Sequence, residues 1–141
     1  MTDKAPPFHL ALPVHDLEKA EAFYGDVLGC PRGRRDEDWI DFDFFGHQLV
    51  THLSAAPTGP TPTNSVDHED VPVFHFGVVV NRETWEATAA RLRDAGTEFI
   101  IEPTLRHEGE PGEQRIFFVK DPSGNALEFK SLTNPDDLFA T

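Results

Sequence analysis

The apolar pattern of the chain opens at Phe8–Val14 (FHLALPV), a run bounded by Pro7 and Pro13 that reads as a short strand. It ends at His15-Asp16, and Asp16 is a good N-cap. From there Leu17, Ala20, Phe23 or Tyr24, Val27 and Leu28 recur at helical spacing until Gly29 stops the pattern. After an arginine-rich, acidic loop, Trp39–Phe45 (WIDFDFF) alternates apolar with acidic residues, as a half-buried strand does. Gly46 punctuates it, and His47–Leu53 (HQLVTHL) reads as the next strand. Ala55–Asp70 is polar, carries Pro57, Gly59, Pro60 and Pro62, and has no periodicity, which is the composition of a linker.

The order of elements then begins again. Val73–Val80 (VFHFGVVV) is a strand, and Asn81 caps a helix that places Trp85, Ala89 and Leu92 on one face before Ala95-Gly96 ends it. Glu98–Ile101 is a strand, Glu102–Arg115 a hydrophilic loop, and Ile116–Lys120 and Ala126–Lys130 are strands parted by Asp121-Pro122-Ser123-Gly124. The two halves superimpose by landmarks. His9 and His75 open equivalent strands 66 residues apart, and Gly29 and Gly96 close equivalent helices 67 apart. Asp43–Gly46 and Asp121–Gly124, both Asp-x-x-Gly, lie 78 apart, with the extra residues falling in the long loop of the second half. The pattern predicts an α+β protein built from a duplicated βαβββ unit: module one over about 8–54, a linker over about 55–71, and module two over about 72–132.

At 141 residues the chain suits one domain of two halves, and 38% hydrophobic residues with 12 phenylalanines is too apolar for a disordered acidic chain. Its 25 acidic against 12 basic residues, a net charge of −13, argue against nucleic acid or an anionic membrane as partner. The single cysteine, Cys30, excludes a disulfide framework and fits a reducing cytoplasm. Met1–Pro7 has no signal-peptide core and no apolar run spans a bilayer, so a cytoplasmic location is expected.

His15, His68 and His107 fall in loops and read as exposed. His9 and His75 differ, because they hold matching places in a repeat whose halves can pair about a pseudo-twofold axis; each also reads as a satisfied core histidine. Glu128 alternates with Leu127 and Phe129 and so faces away from them, toward solvent or toward a concave face shared with His75. Two imidazoles and one carboxylate would leave coordination positions open and suit Fe(II), Mn(II), Ni(II) or Zn(II). Trp39, Phe42, Phe44, Phe74, Phe117 and Phe118 serve core packing before substrate stacking, and Arg106 and Arg115 read as surface arginines. Asp36–Asp38 and Asp67–Asp70 are solvated loop carboxylates. No phosphate-binding loop, Gly-x-Ser-x-Gly elbow or His-Glu-x-x-His helix is present.

Three segments, FHLALPVHDLEKAEAFYGDVLGC, FHFGVVV and FFVKDPSGNALEFKS, resemble the vicinal oxygen chelate superfamily of glyoxalase I, extradiol dioxygenases, fosfomycin-resistance and bleomycin-resistance proteins. DWIDFDFFGHQLVTHL and EGEPGEQRIFFVKDPSGNALEFK look most like its small extradiol-type dioxygenases. The resemblance implies paired βαβββ modules forming a curled mixed sheet around a metal, ligand roles for His9, His75 and Glu128, and a homodimer. Many members take a fourth ligand from the last strand of module one, but the offset of 78 puts Val50 opposite Glu128, and valine cannot bind a metal. Gln48 and His52 lie two residues either side on the same strand face, with His47 pointing the other way.

Val50 removes the usual carboxylate base of glyoxalase-type isomerisation, whereas a three-ligand face is what extradiol chemistry needs. The expected function is therefore a metal-dependent, extradiol-type dioxygenase acting on a small catecholic substrate, with Fe(II) the favoured metal. A glyoxalase-like lyase or isomerase is the alternative enzyme. A ligand-sequestering protein of the bleomycin-resistance type is the alternative outside enzymes. His52 is the candidate acid/base; it also reads as a packed histidine, or as a fourth ligand if a bulge shifts the strand by two residues.

Overall fold

Both helix signals are realised as side-chain caps: Asp16 Oδ1 accepts from the Lys19 amide at 3.0 Å, and Asn81 Oδ1 from the Thr84 amide at 2.8 Å. The computed structural model describes residues 5–55 and 62–141. They divide between two compact units, Met1–Pro57 and Thr58–Thr141.

The first unit runs β1 (His9–Val14), α1 (Leu17–Glu21), β2 (Arg32–Arg35), β3 (Trp39–Phe44) and β4 (His47–Leu53). Its helix continues past Glu21 as a π-helical segment, Ala22–Val27, that buries Phe23 and Tyr24 and ends at Gly29 with φ +74°. The sheet order is β1-β4-β3-β2, with β1 parallel to β4. Ile40, Phe42, Leu49 and Tyr24 are buried between helix and sheet.

β2 lies where the sequence predicts only a loop. All four of its residues are exposed, so it has no hydrophobic period, and it is an edge strand held by charge. Glu21 receives Arg32 Nε at 2.6 Å and the two terminal nitrogens of Arg35 at 2.9 and 3.1 Å, while Arg32 also reaches Asp26 at 2.8 Å. The hydrogen bonds from Arg35 and Arg32 lower the Glu21 carboxyl below its ordinary value of 4.5.

The second unit begins with a hairpin, β5 (Thr63–Val66) and β6 (Glu69–Pro72), then β7 (His75–Val79), α2 (Arg82–Asp94), β8 (Phe99–Arg106), β9 (Gln114–Lys120) and β10 (Ala126–Leu132). The main sheet is ordered β7-β10-β9-β8, again with first and last strands parallel. Each unit is thus a βαβββ module forming an unclosed, curled mixed sheet, as expected. Trp85, Thr88, Ala89 and Leu92 are the buried face of α2, and the Trp85 indole donates to the Phe129 carbonyl at 3.0 Å.

The hairpin corrects the reading of 55–71 as a linker; residues 56–61 of that stretch lie outside the described residues. Asp67 and His68 take φ of +50° and +69°, the positive pair that a tight type I′ turn demands. Only Val71 and Pro72 of the hairpin are buried, which is why no alternation is visible in the sequence. Val71 packs on Ile101, Ile116 and Phe118. Arg106, expected at the surface, is instead mostly buried and binds Asp67 and Glu69 of the hairpin at 3.4 and 3.3 Å. β8 also runs five residues past the expected Ile101, with register shifts on either side of Ile101 that let the edge strand absorb Pro103.

Gly77 is the tightest point. A Cβ there would lie 1.5 Å from the Glu128 carbonyl oxygen of the adjoining strand. Gly77→Ala should lower stability by about 3 kcal/mol or abolish soluble expression. Gly46→Ala, where φ is +88° but space is open, should cost only about 1–2 kcal/mol in urea titrations. Equal effects at the two positions would contradict the close approach.

The Glu21 clamp makes a pH prediction. Because the folded-state carboxyl is lowered, its contribution is full above 4.5 and disappears as the pH falls through the lowered value. Glu21→Gln should therefore be less stable than the parent at pH 7, and the two denaturation curves should converge in acid. A gap that persists unchanged at low pH would show that the loss is one of packing.

Candidate metal centre

The parallel first and last strands bring distant residues side by side. In the second unit His75 pairs with Ala126 and Gly77 with Glu128, so His75 and Glu128 sit on a diagonal of one sheet face. Their side chains meet, with His75 Nε2 3.4 Å from Glu128 Oε1. The other ring nitrogen is engaged: His75 Nδ1 lies 2.7 Å from the Pro72 carbonyl oxygen, to which it donates. In a neutral ring that arrangement leaves Nε2 with a lone pair directed toward a carboxylate oxygen. Two such atoms repel unless a cation lies between them.

The donor set fits a metal ion. Ligand atoms about 2.1 Å from a common ion, at tetrahedral or octahedral angles, stand roughly 3.0–3.4 Å apart. An imidazole whose Nδ1–H is held by a carbonyl is also the usual outer arrangement of a histidine ligand. A proton in place of a metal would make the same pair an ion pair.

His9, exposed at the start of β1, repeats the arrangement in the first unit. Its register partner is Gln48, and His9 Nδ1 lies 2.8 Å from Gln48 Oε1. Gln48 in turn donates to Asp41 Oδ2 at 3.3 Å, which orients the amide with its oxygen toward the ring. Both predicted histidines therefore have Nδ1 committed, which leaves Nε2 as the ring atom able to bind a metal. Within either unit, among the described residues, no three His, Cys, Asp or Glu side chains group as a metal cage.

The register tests the placement of Val50. Ala11 pairs with Val50 and Gly77 with Glu128, so the two positions are equivalent, and Val50 is buried. β4 pairs without interruption from Phe44–His47 to Trp39–His52, so the bulge that would turn His52 into a ligand is absent. His52 is exposed, two residues beyond Val50. Gln48 and Pro72 are the residues that sequence reasoning missed. Gln48 had a signal, being on the same face as Val50, but a backbone carbonyl such as that of Pro72 leaves none.

Comparison with known proteins decides the family. The model of the Glyoxalase/Bleomycin resistance protein/Dioxygenase superfamily matches residues 7–129. The chain belongs to that superfamily. The crystal structure of a glyoxalase/bleomycin resistance protein/dioxygenase from Alicyclobacillus acidocaldarius is similar to it, with 34% identity and a TM-score of 0.78 over 99% of this chain and 100% of that one. The genomically encoded fosfomycin resistance protein of Listeria monocytogenes shares the fold at 16% identity and a TM-score of 0.69, covering 97% of this chain and 98% of that one. An integron cassette protein from the mobile metagenome of Halifax Harbour sewage outfall does so at 23% and 0.64, covering 90% and 98%.

The superfamily name spans two enzyme classes and a resistance function, so it leaves the reaction of this member to its own residues. No described helix is long and apolar enough to cross a membrane. Phe42, Phe44, Phe117 and Phe118 are buried as core and Trp39 is half-buried, but Phe74, also expected in the core, is 88% exposed; Phe118 packs edge-on against the His75 ring at 4.9 Å.

The geometry predicts the tautomer of His75. In metal-free protein, at a pH where the ring is neutral, ¹⁵N-edited NMR of the imidazole should find the proton on Nδ1. A proton on Nε2 would remove the lone pair on which the metal reading rests.

Proposed function

We propose that this superfamily member is a metal-dependent enzyme, using His75, Glu128 and His9 to hold one divalent ion and catalysing extradiol-type ring cleavage of a small catecholic substrate. The observation that carries the reading is the pair of converging donors, His75 Nε2 and Glu128 Oε1 at 3.4 Å, with the imidazole fixed by Pro72. His9, in the first unit, is an imidazole prepared in the same way by Gln48.

Val50 directs the choice among chemistries. Without a carboxylate at that place there is no fourth protein ligand from β4 and no metal-bound base of the glyoxalase kind. Three ligands leave positions for both catechol oxygens and dioxygen. A bound Fe(II) ion would supply the electron transfer that brings catechol and dioxygen to react, and both oxygen atoms would end in the ring-opened product. The chain's own residues do the rest: Pro72 and Gln48 hold the imidazoles, Phe118 packs on one of them, and His52, on the same face of β4, carries the substrate proton.

Metal analysis of anaerobically purified protein tests this directly. The parent should bind one Fe(II) or Mn(II) per site, His75→Ala and Glu128→Gln should lose it, and Gln48→Ala should weaken it by about tenfold. With Fe(II), oxygen uptake should follow addition of a catechol from a panel. Full occupancy in a His75→Ala/Glu128→Gln double variant would overturn the site. Hemithioacetal isomerisation without oxygen uptake would establish the lyase reaction instead.

A further inference from the structure

Beside the His75–Glu128 pair lies a charged group that the metal reading does not use. A depression of about 330 Å³ in the second unit is lined by His75, Gly77, Val79, Glu128 and Lys130, among others, and among the described residues Glu128 and Lys130 are the acidic and the basic side chain of that lining. Lys130 is two residues beyond Glu128 on β10 and so shares its face. Its Nζ stands 3.8 Å from Glu128 Oε1, the same oxygen that faces His75 Nε2. The distance is an ion-pair contact, too long for a hydrogen bond.

The strand cannot easily move to relieve that crowding. The Lys130 carbonyl accepts from the Val80 amide at 2.8 Å, and the preceding carbonyl, of Phe129, accepts from Trp85. The Lys130 side chain is 37% exposed against 11% for Glu128, so the ammonium faces the solvent side of the depression. A divalent ion on Glu128 would take the electron pair of Oε1 and repel an ammonium a few ångströms away. The ammonium then needs another anion, and a negatively charged ligand at the metal's open positions meets both cations at once. A neutral ligand leaves it uncompensated.

We propose that Lys130 is the anion-recognising residue of this site and that the substrate class is a small organic anion, in the catechol series one that carries a carboxylate. The inference rests on the metal reading above. Its test uses the full chain loaded with Mn(II), with catechol and 3,4-dihydroxybenzoate as probes, in the parent, Lys130→Met and Lys130→Arg. The parent should bind the dihydroxybenzoate about tenfold more tightly than catechol. Lys130→Met should erase the preference and at the same time bind Mn(II) more tightly, by about threefold or more, because a competing cation is gone. Lys130→Arg should keep the preference. A Lys130→Met protein with parental Mn(II) affinity and parental preference overturns the proposal while leaving the metal site standing. Failure of the parent to bind Mn(II) overturns both. Lys130-dependent discrimination without oxygen uptake keeps the substrate class and removes the dioxygenase reaction.

Discussion

The constraint on which the rest depends is the parallel pairing of the first strand of each module with its last. Parallel neighbours need a crossover, and here the crossover is α1 or α2 together with the intervening strands. That connection makes a single sheet face from residues far apart in sequence. In the second unit the pairing is unusually intimate, because Gly77 removes the side chain that would strike the Glu128 carbonyl. On the other side of the same strand the Trp85 indole fixes the Phe129 carbonyl, and Phe129 stacks on Phe117 at 5.1 Å. Glu128 is thus aimed by backbone held on both faces, a firmer support than a loop gives.

That rigidity allows a carboxylate with only 9% exposure to persist in a sheet interior. A buried carboxylate is costly unless compensated. Glu128 has an imidazole at 3.4 Å and an ammonium at 3.8 Å, both on the same oxygen. The ammonium is the compensating charge, held at ion-pair distance rather than in a close hydrogen bond, and the lone pair of a neutral imidazole adds none. Contacts of that length leave Oε1 open to a closer cation, which under the proposed function is the metal ion.

Much of this fold was legible because most elements obey one of two periods. Asp16 and Asn81 cap where expected, and Trp85, Ala89 and Leu92 face inward as their spacing demands. What escaped has no period. β2 is four exposed residues held by Glu21, and the β5–β6 hairpin buries only Val71 and Pro72. Both are stabilised by ion pairs that span from 11 residues (Glu21–Arg32) to 39 (Asp67–Arg106), which a local pattern does not register. The candidate ligands were legible because His9, His75 and Glu128 sit at repeat-equivalent or alternating positions. Their supports were not, since a side-chain amide and a main-chain carbonyl become meaningful only once the strand register is known.

The register also explains why the two modules support their histidines differently. Gln48 stands opposite His9, and the equivalent place opposite His75 is Ala126, whose side chain has no acceptor. The second module must find one elsewhere, and the hairpin preceding β7 supplies it through Pro72. On the same strand face the first module continues Gln48, Val50, His52 where the second has Ala126, Glu128, Lys130. One module therefore carries an amide support, an inert middle position and a titratable ring. The other carries a carboxylate and a permanent cation. The two sheets share one strand order, and three alternating positions of their last strands give them different side chains. The hairpin before β7 thus does for His75, through the Pro72 carbonyl, what the Gln48 amide does for His9.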